Sequence, residues 1–131
     1  MAKFNNYENL KVWHNAIMLA KEIYLATRDF PKEEIYGLTS QIRRSAVSIA
    51  SNIAEGSRRI GKKEFQQFIG IAAGSAAELK TQIIISREVG YINSGTADTI
   101  MDDIDSIERM LTALSKSLDS IPATRDPLLA T

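Results

Sequence analysis

The side chains that carry most enzymatic and metal chemistry are scarce in this sequence. His14 is the only histidine and cysteine is absent. Within one chain that excludes a histidine-based metal cluster, a histidine-supported triad, a thiolate zinc site and a cysteine nucleophile. His14 stands beside Trp13 and reads as a structural or surface residue. The Glu-x-x-His repeat of di-metal carboxylate bundles does not occur. Nor does a glycine-rich phosphate loop: Gly70-Ile71-Ala72-Ala73-Gly74 falls inside a helical pattern, where its glycines allow a neighbouring helix to come close. No catalytic residue, metal ligand or cofactor is expected, and the chain is not expected to be an enzyme.

Two other groups have the spacing for binding. Arg43, Arg44, Arg58, Arg59, Lys62 and Lys63 lie between positions 37 and 63 with only Glu55 as counter-charge. The whole chain balances 16 Lys/Arg against 16 Asp/Glu. Residues 1–70, however, hold eleven cations against seven anions, and residues 71–131 hold five against nine, so the halves stand at +4 and −4. A neutral protein can still present a basic face to phosphate. The plainer alternative is that these cations balance the acidic last helix of a neighbouring subunit.

The second group is a polar stripe, Gln41, Ser45, Ser48, Asn52 and Glu55, stepping by four and three along a helical segment. Arg43, Arg44, Ser51 and Arg58 already supply that segment with a solvent face. The stripe is therefore expected to form a structural polar network. If the next helix returns antiparallel about a link near Arg59, facing positions sum to about 119–122. Ser45 then meets Gly74 and Ser75, and Arg44 or Gln41 nears Glu78, which if partly buried needs a donor. A water-facing stripe and a functional groove are the alternatives.

The elements that position these groups are four helices. Apolar residues recur at steps of three and four, no alternating strand pattern occurs, and proline stands only at 31, 122 and 127. Helix one is predicted over residues 9–29, with two stripes: Leu10, Trp13, Ile17, Ala20 and Tyr24, then Val12, Ala16, Leu19, Ile23 and Ala26. Two stripes are more than one bundle face needs. Helix two is predicted over residues 37–57 on Leu38, Ile42, Ala46, Ile49 and Ile53. A short link makes it the antiparallel neighbour of helix three, residues 62–90, which uses Phe65, Phe68 or Ile69, Ala72, Ala76, Leu79 and Ile83 and stops at Gly90. Ile83, Ile84 and Ile85 cannot all face one core, so a second buried face in an oligomer is expected. Helix four follows Asn93-Ser94-Gly95, with Thr96 or Ser94 as its cap. Ala97, Ile100, Ile104, Ile107, Leu111, Leu114 and Leu118 form its heptad seam. Asp98, Asp102, Asp103 and Asp105 read as a solvated face that suits the helix dipole.

The fold expected is all-α: an antiparallel up-down-up-down four-helix bundle over residues 4–121, with a flexible C-terminal tail over residues 122–131, assembling as a ring-like homo-oligomer. The N-terminus lacks the apolar run of a signal peptide. The weakly polar run of residues 68–77 is about half of the ~20 residues a membrane span needs. A cytoplasmic protein without a membrane partner is expected.

The sequence also resembles a known family. Ser48-Ile49-Ala50-Ser51-Asn52-Ile53-Ala54-Glu55-Gly56 is similar to its S-x-x-S-N-I-A-E-G signature. Phe4 with Leu10-Lys11-Val12-Trp13, Phe30-Pro31 with Tyr36-Gly37-Leu38-Thr39-Ser40-Gln41-Ile42-Arg43-Arg44, Glu64-Phe65, and Gly74-Ser75 with Glu78-Leu79 match in order. The family is that of the four-helix-bundle proteins encoded in intervening sequences of bacterial 23S ribosomal RNA genes. The resemblance covers residues 4–118. Ala50 departs from a position where proline is common, and Gly61 from one where Ser or Thr often caps the third helix. The resemblance implies a homopentamer and kinship with the accessory protein of diversity-generating retroelements, which binds nucleic acid and a reverse transcriptase. The function expected is an oligomeric protein that binds RNA or DNA non-specifically through the basic residues; the alternative is a protein–protein scaffold.

Overall fold

The protein is described by a computed structural model over residues 6–121. Residues 4 and 5 of the expected bundle, and its expected tail at 122–131, lie outside the described residues. Four helices make up the fold: α1 (Lys11–Ala26), α2 (Leu38–Ser57), α3 (Lys62–Glu88) and α4 (Ser94–Leu118). No strand is present among the described residues. Short 3₁₀ turns at Tyr7–Asn9 and Lys32–Glu34 precede α1 and α2. Each helix packs on its two neighbours in the cycle α1–α2–α3–α4.

Side-chain contacts fix the directions. Ser48 meets Ser75, while Gly56 lies against Phe65 and Phe68, so α3 runs back along α2. Lys62 reaches Ile121, and Lys80 reaches Asp105, so α4 runs back along α3. Asn15 meets Met110, and Glu22 meets Asp103, so α1 and α4 are also antiparallel. The bundle is up-down-up-down.

The core is drawn from one stripe per helix, each large apolar side chain contributing about 1.5–3 kcal/mol by leaving water. In α1 the buried stripe is Val12, Ala16, Leu19 and Ile23; on the other stripe Ile17 and Tyr24 stay 43% and 45% exposed. In α2 it is Ile42, Ala46, Ile49 and Ile53. In α3 Ile69, not Phe68, enters the core, and the isoleucine run splits: Ile83 is buried, Ile84 half-buried, Ile85 exposed. The α4 seam is buried from Ala97 to Leu111 and at Leu118, with Leu114 half-buried.

The helix ends carry the punctuation. α1 stops at Ala26 rather than Asp29; Thr27 bonds its hydroxyl back to the Ile23 carbonyl (2.8 Å), and Phe30 folds into the core ahead of Pro31. Glu34 then does two jobs: one carboxylate oxygen accepts from the Leu38 N–H (3.1 Å), the other from the Tyr91 hydroxyl (2.9 Å). This places a negative charge at the positive end of α2. Gly90, at φ 84°, closes α3 in a Schellman motif, with Tyr91 N–H on the Ser86 carbonyl and Gly90 N–H on that of Arg87. The cap of α4 is Asn93, whose side chain accepts from the Thr96 N–H at 2.8 Å, and not Ser94 or Thr96. By length and composition α3 could also cross a bilayer, which the shorter 68–77 run did not suggest. Here it carries Phe65, Ile69, Ala72, Ala76, Leu79 and Ile83 into the bundle core.

Candidate nucleic-acid interface

The six cations form two groups at opposite ends of α2. Arg44 and Arg58 are 14 residues apart on one helix, about 21 Å at 1.5 Å per residue. At the N-terminal end Arg43 turns toward α1. Its Nε donates to the Thr27 hydroxyl (2.9 Å) and its guanidinium lies 4.7 Å from the centre of the Tyr24 ring. Arg44 is exposed and faces the α2–α3 groove instead.

The second group surrounds the α2–α3 turn. Arg58 and Lys63 are exposed, Arg59 and Lys62 half-buried. Arg59 is paired with Glu55 at 2.8 Å and covers the Phe68 ring at 4.8 Å. Lys62 donates to the Ile121 carbonyl (2.8 Å), and more weakly to that of Asp119 (3.4 Å). Carbonyls hold the ammonium in place without cancelling its charge. The backbone adds to the field. Gly61, extended at φ −96° and ψ 145°, gives α3 no side-chain cap, so the first-turn N–H groups open onto the same turn as Lys62 and Lys63. Cations at a helix N-terminus oppose the dipole, so this placement costs stability and concentrates positive potential.

The polar stripe of α2 is only partly interior. Ser45 is buried, Ser48 and Asn52 half-buried, and Gln41 and Glu55 exposed. Asn52 donates to the Ser48 carbonyl (2.8 Å) and hydroxyl (2.9 Å), and the Ser48 and Ser75 hydroxyls meet at 2.8 Å. Ser75 thus pairs with Ser48 rather than Ser45, one residue beyond the expected register. The seat of Phe65 on Gly56 falls within that register. Glu78 is exposed and makes no hydrogen bond or ion pair among the described residues, so the expected burial and donor do not occur. Gln41, Arg44, Ser45, Ser48 and Glu78 line an open groove of about 300 Å³. Gly70 and Gly74 are exposed and have nothing within 4 Å, so they do not serve close packing inside the chain; Gly56 does.

The acidic side of α4 is more engaged than a solvated face. Asp105 is paired with Lys80 (2.7 Å) and Asp98 with Arg87 (3.5 Å). Asp103 faces Glu22 across a groove of about 210 Å³ that Asn15, Met18, Leu19, Ser106 and Ile107 complete. Burial, and then the hydrogen bond and charge of Asp103, push the Glu22 carboxyl up to about 7. Sequence reading missed this pair because its partners are 81 positions apart and each alone is an ordinary helical carboxylate. His14 is exposed, its Nε2 donating to the Glu8 carbonyl at 2.7 Å, with Trp13 edge-on between it and Tyr7. It fastens the N-terminal turn to α1.

Residues 8–113 match the family described as 23S rRNA-intervening sequence protein. Among solved structures, the chain is similar to a protein of unknown function from the S23 ribosomal protein family of Bacteroides thetaiotaomicron. The two share 23% identity at a TM-score of 0.73, over 80% of this chain and 98% of the other. At that identity the likeness is one of fold. No curated protein matches the sequence.

Proposed function

This chain belongs to the 23S rRNA-intervening sequence protein family, and on that premise we propose that it is an oligomeric RNA-binding protein that grips phosphates at the α2–α3 turn. The observation that carries this reading is the gathering of Arg58, Arg59, Lys62 and Lys63 around one turn, with the uncapped N-terminus of α3 between them. Glu55 pairs with Arg59, and Glu64 is the one acidic residue of the first turn of α3. Helix N-termini bind phosphate through free N–H groups and the dipole, and neighbouring cations deepen the well. Such contacts fix position without reading bases.

Self-association is supported by α1, whose outer face keeps Ile17, Met18, Tyr24 and Leu25 between 43% and 57% exposed. Exposed apolar side chains gathered on one helix face support an interaction surface. Repeating the basic turn around a symmetric assembly multiplies its charge. The same α1 face could seat a different protein, which is the scaffold reading.

The test is binding of unstructured RNA by fluorescence anisotropy at several salt concentrations, with sedimentation equilibrium on the same samples. If all four cations neutralise phosphates on a single strand, the logarithm of affinity falls with the logarithm of salt at a slope of about −3 per protomer. Reversing Arg58, Arg59, Lys62 and Lys63 to glutamate abolishes binding and leaves the helical content unchanged. Absence of binding by the parent at low salt overturns the RNA reading and favours the scaffold. A mass of 14.5 kDa at every concentration overturns the oligomer.

A further inference from the structure

We propose that the groove between α2 and α3 holds the base of an unpaired guanine from single-stranded RNA, an inference that rests on the RNA-binding reading above. The residues lining this groove, Gln41, Arg44, Ser45, Ser48 and Glu78, are all polar. That composition does not suit an apolar helix. Its volume of about 300 Å³ is at the lower end of the roughly 300–1,000 Å³ of small-ligand sites.

One feature points to a ligand: Arg44 on α2 and Glu78 on α3 line the groove from its two walls without forming an ion pair. One offers only donors and the other, ionised, only acceptors. The ligand that suits both presents acceptors at one end and adjacent donors at the other.

Guanine does this. Its O6 and N7 accept from a guanidinium, as in the commonest specific protein–guanine contact. Its N1–H and 2-amino group lie side by side and donate to one carboxylate. Adenine sets an acceptor nitrogen beside its amino group, which a carboxylate repels. Uracil flanks its single N–H with two carbonyls. Gln41 and Ser45 can donate or accept along the remaining edge. α1, with its exposed apolar face, sits diagonally across the bundle from α3, so self-association there leaves this groove open. A strand leaving the basic turn must run about 21 Å along α2 to reach Arg44, within the roughly 4–16 nucleotides of known single-strand sites.

The experiment measures anisotropy with uridine decamers carrying one central guanosine, inosine, adenosine or uridine. The guanosine decamer is expected to bind about 5- to 150-fold more tightly than the adenosine decamer, the range of one bidentate base contact. Inosine, lacking the 2-amino group, falls between. Glu78→Gln, at an exposed position, keeps the fold by circular dichroism and loses most of the guanosine-to-uridine ratio, the ratio being the readout because the variant also gains a unit of positive charge. If all four decamers bind alike, or the ratio survives Glu78→Gln, the groove does not hold guanine and the phosphate reading stands. If no decamer binds, both readings fall.

Discussion

Replacing Gly56 by alanine tests the tightest contact in the bundle. A Cβ built at this position lies 2.5 Å from the Phe68 Cβ, 3.0 Å from the Phe65 Cδ1 and 3.2 Å from the Phe68 Cγ. Carbon atoms rest about 3.5–4.0 Å apart, so the first contact is short by at least about 1 Å. The Phe68 Cβ is fixed to its backbone and cannot swing away, so α2 and α3 must separate. Overpacking costs about 1–3 kcal/mol, and the geometry argues for the upper half of that range. Against it stands the helix propensity of alanine, favourable by about 0.8–1.0 kcal/mol over glycine. The net expectation is a loss of about 1–2 kcal/mol, or roughly 3–8 °C in Tm for a domain of this size. Gly70→Ala and Gly74→Ala supply the contrast. Both glycines are exposed with nothing within 4 Å, so propensity acts alone and Tm rises. Thermal unfolding followed by circular dichroism on the three variants decides the matter. A Gly56→Ala protein as stable as the parent would refute the close approach of α2 and α3, and with it the register of the polar groove.

Glu22 makes stability depend on pH in the direction opposite to an ordinary carboxylate. Its folded value of about 7 exceeds the ordinary 4.5, so the folded state binds the proton more tightly than the unfolded one. Stability therefore falls as pH rises from about 4.5 to about 7, by on the order of 1 kcal/mol once solvent screening of this half-buried group is allowed for. Glu22→Gln should remove that slope, and a difference between parent and variant that is flat from pH 4.5 to 7 refutes the shared proton. Asn52→Leu removes both donations to Ser48 and should cost about 0.5–1.5 kcal/mol in urea unfolding; an unchanged midpoint would show that water replaces them. Glu78→Leu, at an exposed carboxylate without partners, should stay within about 0.5 kcal/mol of the parent in the same assay.

What the sequence displays well is periodicity, because a helix repeats its buried face every three or four residues whatever it packs against. Ile42, Ala46, Ile49 and Ile53, or the α4 seam, are legible for that reason, and Gly90 because a left-handed residue selects glycine. Interhelical register is a different quantity. It is set by a few ångströms across the interface, and here the Ser75 hydroxyl meets Ser48 rather than Ser45. Glu78, which the same register was expected to bury in part, stays in solvent. Caps are ambiguous for a local reason: Asn93, Ser94 and Thr96 are all good N-cap types, and only the first ended with its side chain over a free N–H.

The basic residues show the same limit for charge. Six cations within 21 positions look like one patch in a string of letters. A helix, however, advances only 1.5 Å per residue and turns 100° with each one, so sequence neighbours part and distant residues meet. Arg43 and Arg44 are adjacent in the chain, yet one is laid on the Tyr24 ring and the other opens to the groove. Lys62 and the Ile121 carbonyl, 59 positions apart, are in contact. Only the turn itself escapes this dispersal, because Arg58, Arg59, Lys62 and Lys63 lie where the chain reverses and the helical rotation is interrupted. A charge cluster written across a tight turn therefore survives folding as a cluster, whereas one written along a helix does not. For that reason the phosphate-binding reading rests on the turn, and Arg44 is free to serve a separate, base-reading contact.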